Sequence, residues 1–366
     1  MRVPPISSEY LPDEGNSSAC LNPWRGTGTL PTGVTGGKVP AIIVFGDSTV
    51  DSGNNNQILT IVKSNFEPYG RDFYDKKPTG RFSNGRIPTD LMSEAFGLRP
   101  FVPAYLDPMY NISDFALGVC FASAGSGWDT TTNQLANVMP LWKQVENFKE
   151  YQKKLETYVG ANKSNYIIQE ALYVVSTGTN DFLNNYYSPT STRALHYTIE
   201  QFQGFLIGLI ENFIKQIYQL GARKISFTGL PPMGCVPMER AVDLIQGRGD
   251  TCIEKYNDVA LHFNDMLSGL VHKLNGELPG LRMVFANPYD ALLQMIKDPS
   301  SFGFEVTGIA CCGTGLFEAS YLCNKLQPLT CPDADKFVFW DSFHPTQKTN
   351  QILVNSMMKN VLNQFL

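Results

Sequence analysis

Histidine is scarce in this sequence, with four among 366 residues, at positions 196, 262, 272 and 344. Any chemistry that needs an imidazole must fall to one of these four. Charge is sparse as well: charged side chains make up 17% of the chain, the net charge is -5 and the isoelectric point lies near 5.5. With no Lys/Arg cluster and no basic stripe interleaved with aromatics, nucleic acid is not an expected partner. Long apolar runs are missing too. Stretches such as 205–214 are interrupted by polar residues well before the roughly 18 that a membrane span needs, so no span is expected. No cysteine pair stands at metal-ligand spacing with a histidine beside it, which speaks against zinc or another metal. Residues 1–40 carry no apolar stretch of the kind a secretory signal requires.

What is present points to a large folded core. Hydrophobic residues make up 43% of the chain, too many for a disordered one. No Ser/Gly-rich or charged linker interrupts residues 39–366, so one domain is expected there, as a monomer. Residues 1–38 are rich in turn formers and without hydrophobic period, and an extended or disordered N-terminal segment is expected. Eight cysteines suit disulfides formed in an oxidising compartment. Cys235 and Cys252 are the preferred pair because they are close in sequence; the register of Cys311, Cys312, Cys323 and Cys331 stays open. Asn16, Asn111 and Asn162 each begin an Asn-X-Ser sequon. Secretion is the expectation, although the missing signal leaves retention inside the cell open.

The stretch around which the chain is organised is Ala41-Ile42-Ile43-Val44-Phe45-Gly46-Asp47-Ser48. An apolar run bounded by Gly reads as a buried strand. Ser48 then lies just beyond its carboxyl end, where open α/β sheets place ligands. On its own this could equally be a turn in which Asp47 and Ser48 satisfy local backbone groups. A serine hydroxyl needs a base beside it, itself oriented by an acid. Asp341-Ser342-Phe343-His344-Pro345 can supply that pair within one turn, whereas His196, His262 and His272 lie in polar, helix-like stretches and read as surface residues. Ala124-Gly125-Ser126-Gly127 follows an apolar stretch at 115–121 read as a strand, and its glycines let backbone N–H groups turn outward. Asn180 falls just past a strand read at 171–176. It could close an Asx turn, or point its carboxamide N–H₂ at the same spot as Gly125.

Helices are expected at 87–96, 135–158, 199–220, 253–274 and 351–362, and further strands at 224–228 and 282–286. Residues 144–154 read as mostly a solvated helix face, and 68–86 as a loop crossing the sheet's top edge. Strands alternating with helices argue for a parallel sheet covered on both faces.

The blocks Gly46-Asp47-Ser48, Phe121-Ala122-Ser123-Ala124-Gly125-Ser126-Gly127, Gly178-Thr179-Asn180-Asp181 and Asp341-Ser342-Phe343-His344-Pro345 occur in the order seen in GDSL-motif esterase/lipases, the plant branch of the SGNH hydrolases. Pro68-Tyr69-Gly70-Arg71-Asp72-Phe73, Gly229-Leu230-Pro231-Pro232-Met233-Gly234-Cys235 and Cys311-Cys312-Gly313-Thr314-Gly315 extend the resemblance, which runs from about Pro40 to the C-terminus. Thr49 departs from the motif's Leu. Cys120 stands where the family usually has Asn, which puts in question a polar contact beneath the Gly125 loop.

The resemblance implies an α/β fold, a three-layer α/β/α sandwich around a mostly parallel, flavodoxin-like sheet. It implies Ser48 as nucleophile, His344 as base and then acid, and Asp341 as the group that orients His344. The Ser48 N–H, the Gly125 N–H and the Asn180 side chain are implied as oxyanion-hole donors, with no cofactor. Asp51, Asn54 and Asn55 are read as bracing the Ser48 loop. The absence of a Gly-X-Ser-X-Gly elbow around Ser48 argues against the larger α/β-hydrolase fold. The activity expected is hydrolysis of lipid or small acyl esters. A carbohydrate O-acetyl esterase is the alternative within the same class, to be separated by comparing esters of increasing chain length with acetylated glycans. A non-catalytic binding protein is the alternative from another class, and would be expected to lack Ser48, Asp341 or His344.

Overall fold

The computed structural model describes residues 39–247, 249 and 251–366, and the expectation for residues 1–38 lies outside them. Among the described residues five strands form one sheet: β1 (Ile42–Gly46), β2 (Gly118–Cys120), β3 (Leu172–Ser176), β4 (Lys224–Thr228) and β5 (Arg282–Ala286). Their order is β2-β1-β3-β4-β5 and every neighbouring pair is parallel. This is the flavodoxin-like order, in which the connections diverge between β1 and β3 and open a crevice at the strands' carboxyl ends. The sheet is wholly parallel, where a mostly parallel one was expected.

Alternate side chains of each strand enter two different cores, as the pleat requires. Ile43, Phe45, Tyr173, Val175 and Phe227 face helices Leu141–Val159, Ala161–Glu170, Ile199–Gln219 and Glu254–Glu277. Ile42, Val44, Leu172 and Val174 face the opposite way, towards helices Pro88–Ala95 and Gln347–Asn360. The result is the three-layer α/β/α sandwich. Phe45 anchors the first core, with ring centroids 5.4 Å from Phe121, 5.6 Å from Phe148 and 5.5 Å from Phe213. A third, smaller core lies among the loops, where Tyr69, Phe82 and Trp340 pack with Cys311, Cys312, Cys323 and Cys331.

Three boundaries differ from the sequence reading for identifiable reasons. Half of the strand expected at 115–121 is absent, because Asn111 and Asp114 form a capping box that starts a helical turn at Ile112–Phe115. The helix expected at 135–158 is two, Thr130–Ala136 and Leu141–Val159. They are separated where Asn137 takes a left-handed φ of 49° and Pro140 caps the second. The closing helix begins at Gln347 rather than 351, because the Thr346 hydroxyl accepts from the Thr349 N–H and starts it directly after His344-Pro345.

Disulfides join Cys235 to Cys252, Cys311 to Cys331 and Cys312 to Cys323. The first is the pair preferred from sequence, and the other two resolve the open register. Cys120 is a buried free thiol whose pKa burial pushes up to about 12. Among the described residues no helix is long and apolar enough to cross a membrane.

Candidate active site

β1 ends at Gly46, whose φ of 147° and whose contact with β3 leave no room for a side chain: an added Cβ would fall on the Ser176 carbonyl oxygen. The Gln144 carboxamide clamps this peptide, accepting from the Gly46 N–H at 3.0 Å and donating to its carbonyl at 2.9 Å. Beyond it, Asp47 accepts from the Thr49 N–H at 3.0 Å and from the Thr49 hydroxyl at 2.8 Å, while its carbonyl accepts from the Asp51 N–H at 2.9 Å. That turn exposes Ser48 at the crevice. Thr49 keeps its hydroxyl occupied through Asp47 and through the Ser176 hydroxyl at 3.0 Å, so the departure from the motif's Leu leaves no polar group unpartnered.

Asp51, Asn54 and Asn55 are buried and tie this loop to the one after β2. Asp51 accepts from the Ala124 N–H, Asn54 donates to the Cys120 and Ala122 carbonyls, and Asn55 donates to the Ala124 carbonyl. The Cys120 thiol donates to the Val50 carbonyl at 3.2 Å, so the contact that Cys120 put in question is replaced by one to the Ser48 loop itself.

The Asp341–His344 turn is built on the small loop core. The Trp340 N–H donates to the His344 carbonyl, and Trp340 and Phe339 in turn accept from Cys312 and Cys311. Asp341 is fully buried and its Oδ1 accepts from the Phe343 and His344 N–H groups at 2.9 and 2.8 Å. Its other oxygen accepts from the Tyr69 hydroxyl at 2.7 Å. His344 Nδ1 lies 2.7 Å from Asp341 Oδ1, and Nε2 lies 2.7 Å from Ser48 Oγ. A carboxylate can only accept, so Nδ1 carries the imidazole proton and Nε2 accepts from the serine. The Phe82 ring stands 4.9 Å from the imidazole and holds it from the side.

Gly125, Asn180, Ser48 and His344 all line one cavity of about 420 Å³ at the strands' carboxyl ends. Gly125 has a φ of 83°. Among the described residues no acceptor takes the Ser48 or the Gly125 N–H. The Asn180 amide is oriented at both ends: Oδ1 accepts from Asn184 at 2.8 Å and Nδ2 donates to the Ser126 carbonyl at 2.9 Å. The other Nδ2 proton makes a long contact to Asp47 Oδ2 at 3.5 Å, which a closer ligand oxygen would displace. Asp181 accepts from the Trp128 and Asp129 N–H groups and from the Thr132 hydroxyl, joining the Asn180 and Gly125 loops. Burial pushes its carboxyl up to about 7 against the pull of those three donors.

His196, His262 and His272 are exposed, as read, and none of them lines the cavity. Two residues that support the site carried no such role in the sequence. Gln144 was read as solvated, yet it is fully buried; its one sequence signal is that it shares a helix face with Leu141, Val145 and Phe148. Tyr69 stood in a recognised block without an assigned contact. Among the described residues no three His, Cys, Asp or Glu side chains cluster as metal ligands would.

The profile of the GDSL-like Lipase/Acylhydrolase family matches residues 42–357. Two proteins of Arabidopsis thaliana named GDSL esterase/lipase are each 57% identical to the chain, over 330 and 329 residues, covering 90% of this chain and 93% of each relative. A third, of the same name and organism, is 56% identical over 337 residues, covering 92% of this chain and 95% of its own length. The chain belongs to the GDSL-like lipase/acylhydrolase family.

Proposed function

We propose that this protein is a serine hydrolase of carboxylic esters. The observation that carries the reading is the line of contacts from Ser48 Oγ through His344 to Asp341, 2.7 Å at each step. As Ser48 Oγ attacks the ester carbonyl carbon, His344 Nε2 takes its proton and Asp341 stabilises the imidazolium. The carbonyl oxygen gains the negative charge and accepts from the Ser48 N–H, the Gly125 N–H and Asn180 Nδ2. Collapse expels the alcohol oxygen, which receives the proton from Nε2. Water then repeats the cycle on the acylated serine and releases the carboxylic acid. The chemistry calls for no cofactor.

The cavity walls are mainly apolar, with Val62, Leu135, Leu230 and Phe343 among them. That favours a lipid ester over an acetylated sugar, whose hydroxyls would find few partners. The three disulfides and the exposed sequons at Asn111 and Asn162 support secretion. A fluorophosphonate tests the reading without knowledge of the substrate, because the probe needs an activated hydroxyl and an oxyanion site. Labelling is expected at Ser48 alone, and lost in a folded Ser48→Ala variant; a probe found on another serine moves the active site, and none taken up leaves a binding protein.

A further inference from the structure

The residues around the cavity fall in two groups. Val62, Gly125 and Ala136 border its outer side, next to the exposed Leu59 and Ile61. The other group, Ile87, Met92, Val174, Leu353 and Met357, lies in the protein's interior, each at most 7% exposed; Met92, Val174 and Met357 belong to the core beneath the sheet, and Leu353 to the core that also holds Leu292 and Phe339. Asn350, Leu353 and Met357 recur at spacings of three and four, so one face of helix Gln347–Asn360 forms a wall. The facing walls come from β3 and from helix Pro88–Ala95. Polar groups here are already engaged: the Ser176 hydroxyl with Thr49, and the Asn350 amide with the Arg86 carbonyl. Native interiors hold few voids larger than a water molecule. An unfilled space of about 420 Å³ bounded in part by core side chains is on the scale of a ligand pocket, typically about 300–1,000 Å³.

We propose that this inner arm holds the acyl chain of the substrate, so that the protein acts on esters of medium- to long-chain carboxylic acids; the proposal rests on the reading of Ser48 as nucleophile. In that chemistry the alcohol leaves while the acyl group stays bonded to Ser48 Oγ, and water must then reach the acyl carbon beside His344. A group in a buried arm leaves slowly. The arm therefore suits the part that remains, and the outer side of the cavity serves the departing alcohol and the incoming water. Thr49 and Ser176 stand at the neck, where the carbonyl end of the chain would enter.

The test uses p-nitrophenyl esters from acetate to decanoate, with the leaving group constant. In the wild type, kcat/KM is expected to rise about fourfold per added methylene, the equivalent of burying one such group, until the arm is full. Met357→Trp or Leu353→Phe, checked for folding by circular dichroism, should lower the decanoate-to-acetate ratio by about tenfold or more. Met357→Ala should move the optimum to longer chains. An unchanged ratio in folded variants overturns the proposal, as does chain-length selection that follows the alcohol in a series of alkyl acetates. Calorimetry of decanoate with Ser48→Ala separates this from the hydrolase reading. Binding that Met357→Trp abolishes, in a protein whose wild type hydrolyses nothing, upholds the arm and removes the enzyme; absence of binding beside normal turnover removes the arm and keeps the enzyme.

Discussion

Replacing Tyr69 by Phe removes one oxygen atom from the least visible part of the site. The Tyr69 hydroxyl is fully buried, donates to Asp341 Oδ2 at 2.7 Å and accepts from the Ser320 N–H at 2.8 Å. Burial and the neighbouring Asp341 charge hold the phenol well above its ordinary pKa, so it is a donor at every working pH. A hydrogen bond to a charged group contributes about 1.5–3 kcal/mol. Asp341 keeps three N–H partners in the variant, two from the backbone and one from His344, so the carboxylate is not stranded. The loss should therefore appear mainly as stability, lowering Tm by about 3–12 °C at the roughly 2–4 °C per kcal/mol typical of large domains. Turnover should fall by less than about tenfold, since His344 retains its own contact to Asp341 and a misplacement well below 1 Å costs less than the about hundredfold of a full ångström. Differential scanning calorimetry and ester hydrolysis on the same preparation read both quantities. A Tm within 1 °C of wild type would show the hydroxyl to be replaceable by water, and a loss of turnover beyond about a thousandfold would show that Tyr69 takes part in the reaction; either result refutes this account.

Two further perturbations follow from the same geometry. Asn180→Ala removes one of the three proposed oxyanion donors and should lower kcat by about 10²- to 10³-fold with KM much less affected, measured by steady-state kinetics; a change below about threefold assigns Asn180 to its loop contacts instead. Asp181 is raised from 3.8 to about 7, so its contribution to stability is full below pH 3.8 and is lost as pH rises through about 7. Relative to Asp181→Asn, the wild type should lose about 3 kcal/mol between pH 5 and pH 8 in urea unfolding, and parallel curves for the two proteins would exclude that ionisation.

The strands were legible because short apolar runs bounded by turn-forming residues leave little choice: residues 224–228, before Gly229, and 282–286, before Asn287-Pro288, are strands as read. The Ser48, Gly125, Asn180 and His344 loops were legible because each interrupts such a run with residue types that have few structural reasons to be there. Tertiary partners of ordinary side chains were not legible. Gln144 looks like any surface residue of an amphipathic helix until its partner, Gly46, is brought 98 positions across the chain. The break at Asn137–Pro140 was missed because helical spacing continues through it. Nor does any pattern announce a cavity, since Leu353 and Met357 read as core whether their neighbours touch them or leave room.

The contact between His344 and Ser48 closes across 296 positions of sequence. Its entropy cost is met only by the sheet and the final helix that lie between and beyond them. During synthesis, Ser48 and the Gly125 and Asn180 loops leave the ribosome well before the His344 turn, which leads directly into helix Gln347–Asn360. On the reading of Ser48 as nucleophile, the nascent chain thus carries its serine without a base until the His344 turn and the helix after it have been made. On that reading, loss of helix Gln347–Asn360 by truncation would leave a serine without a reaction.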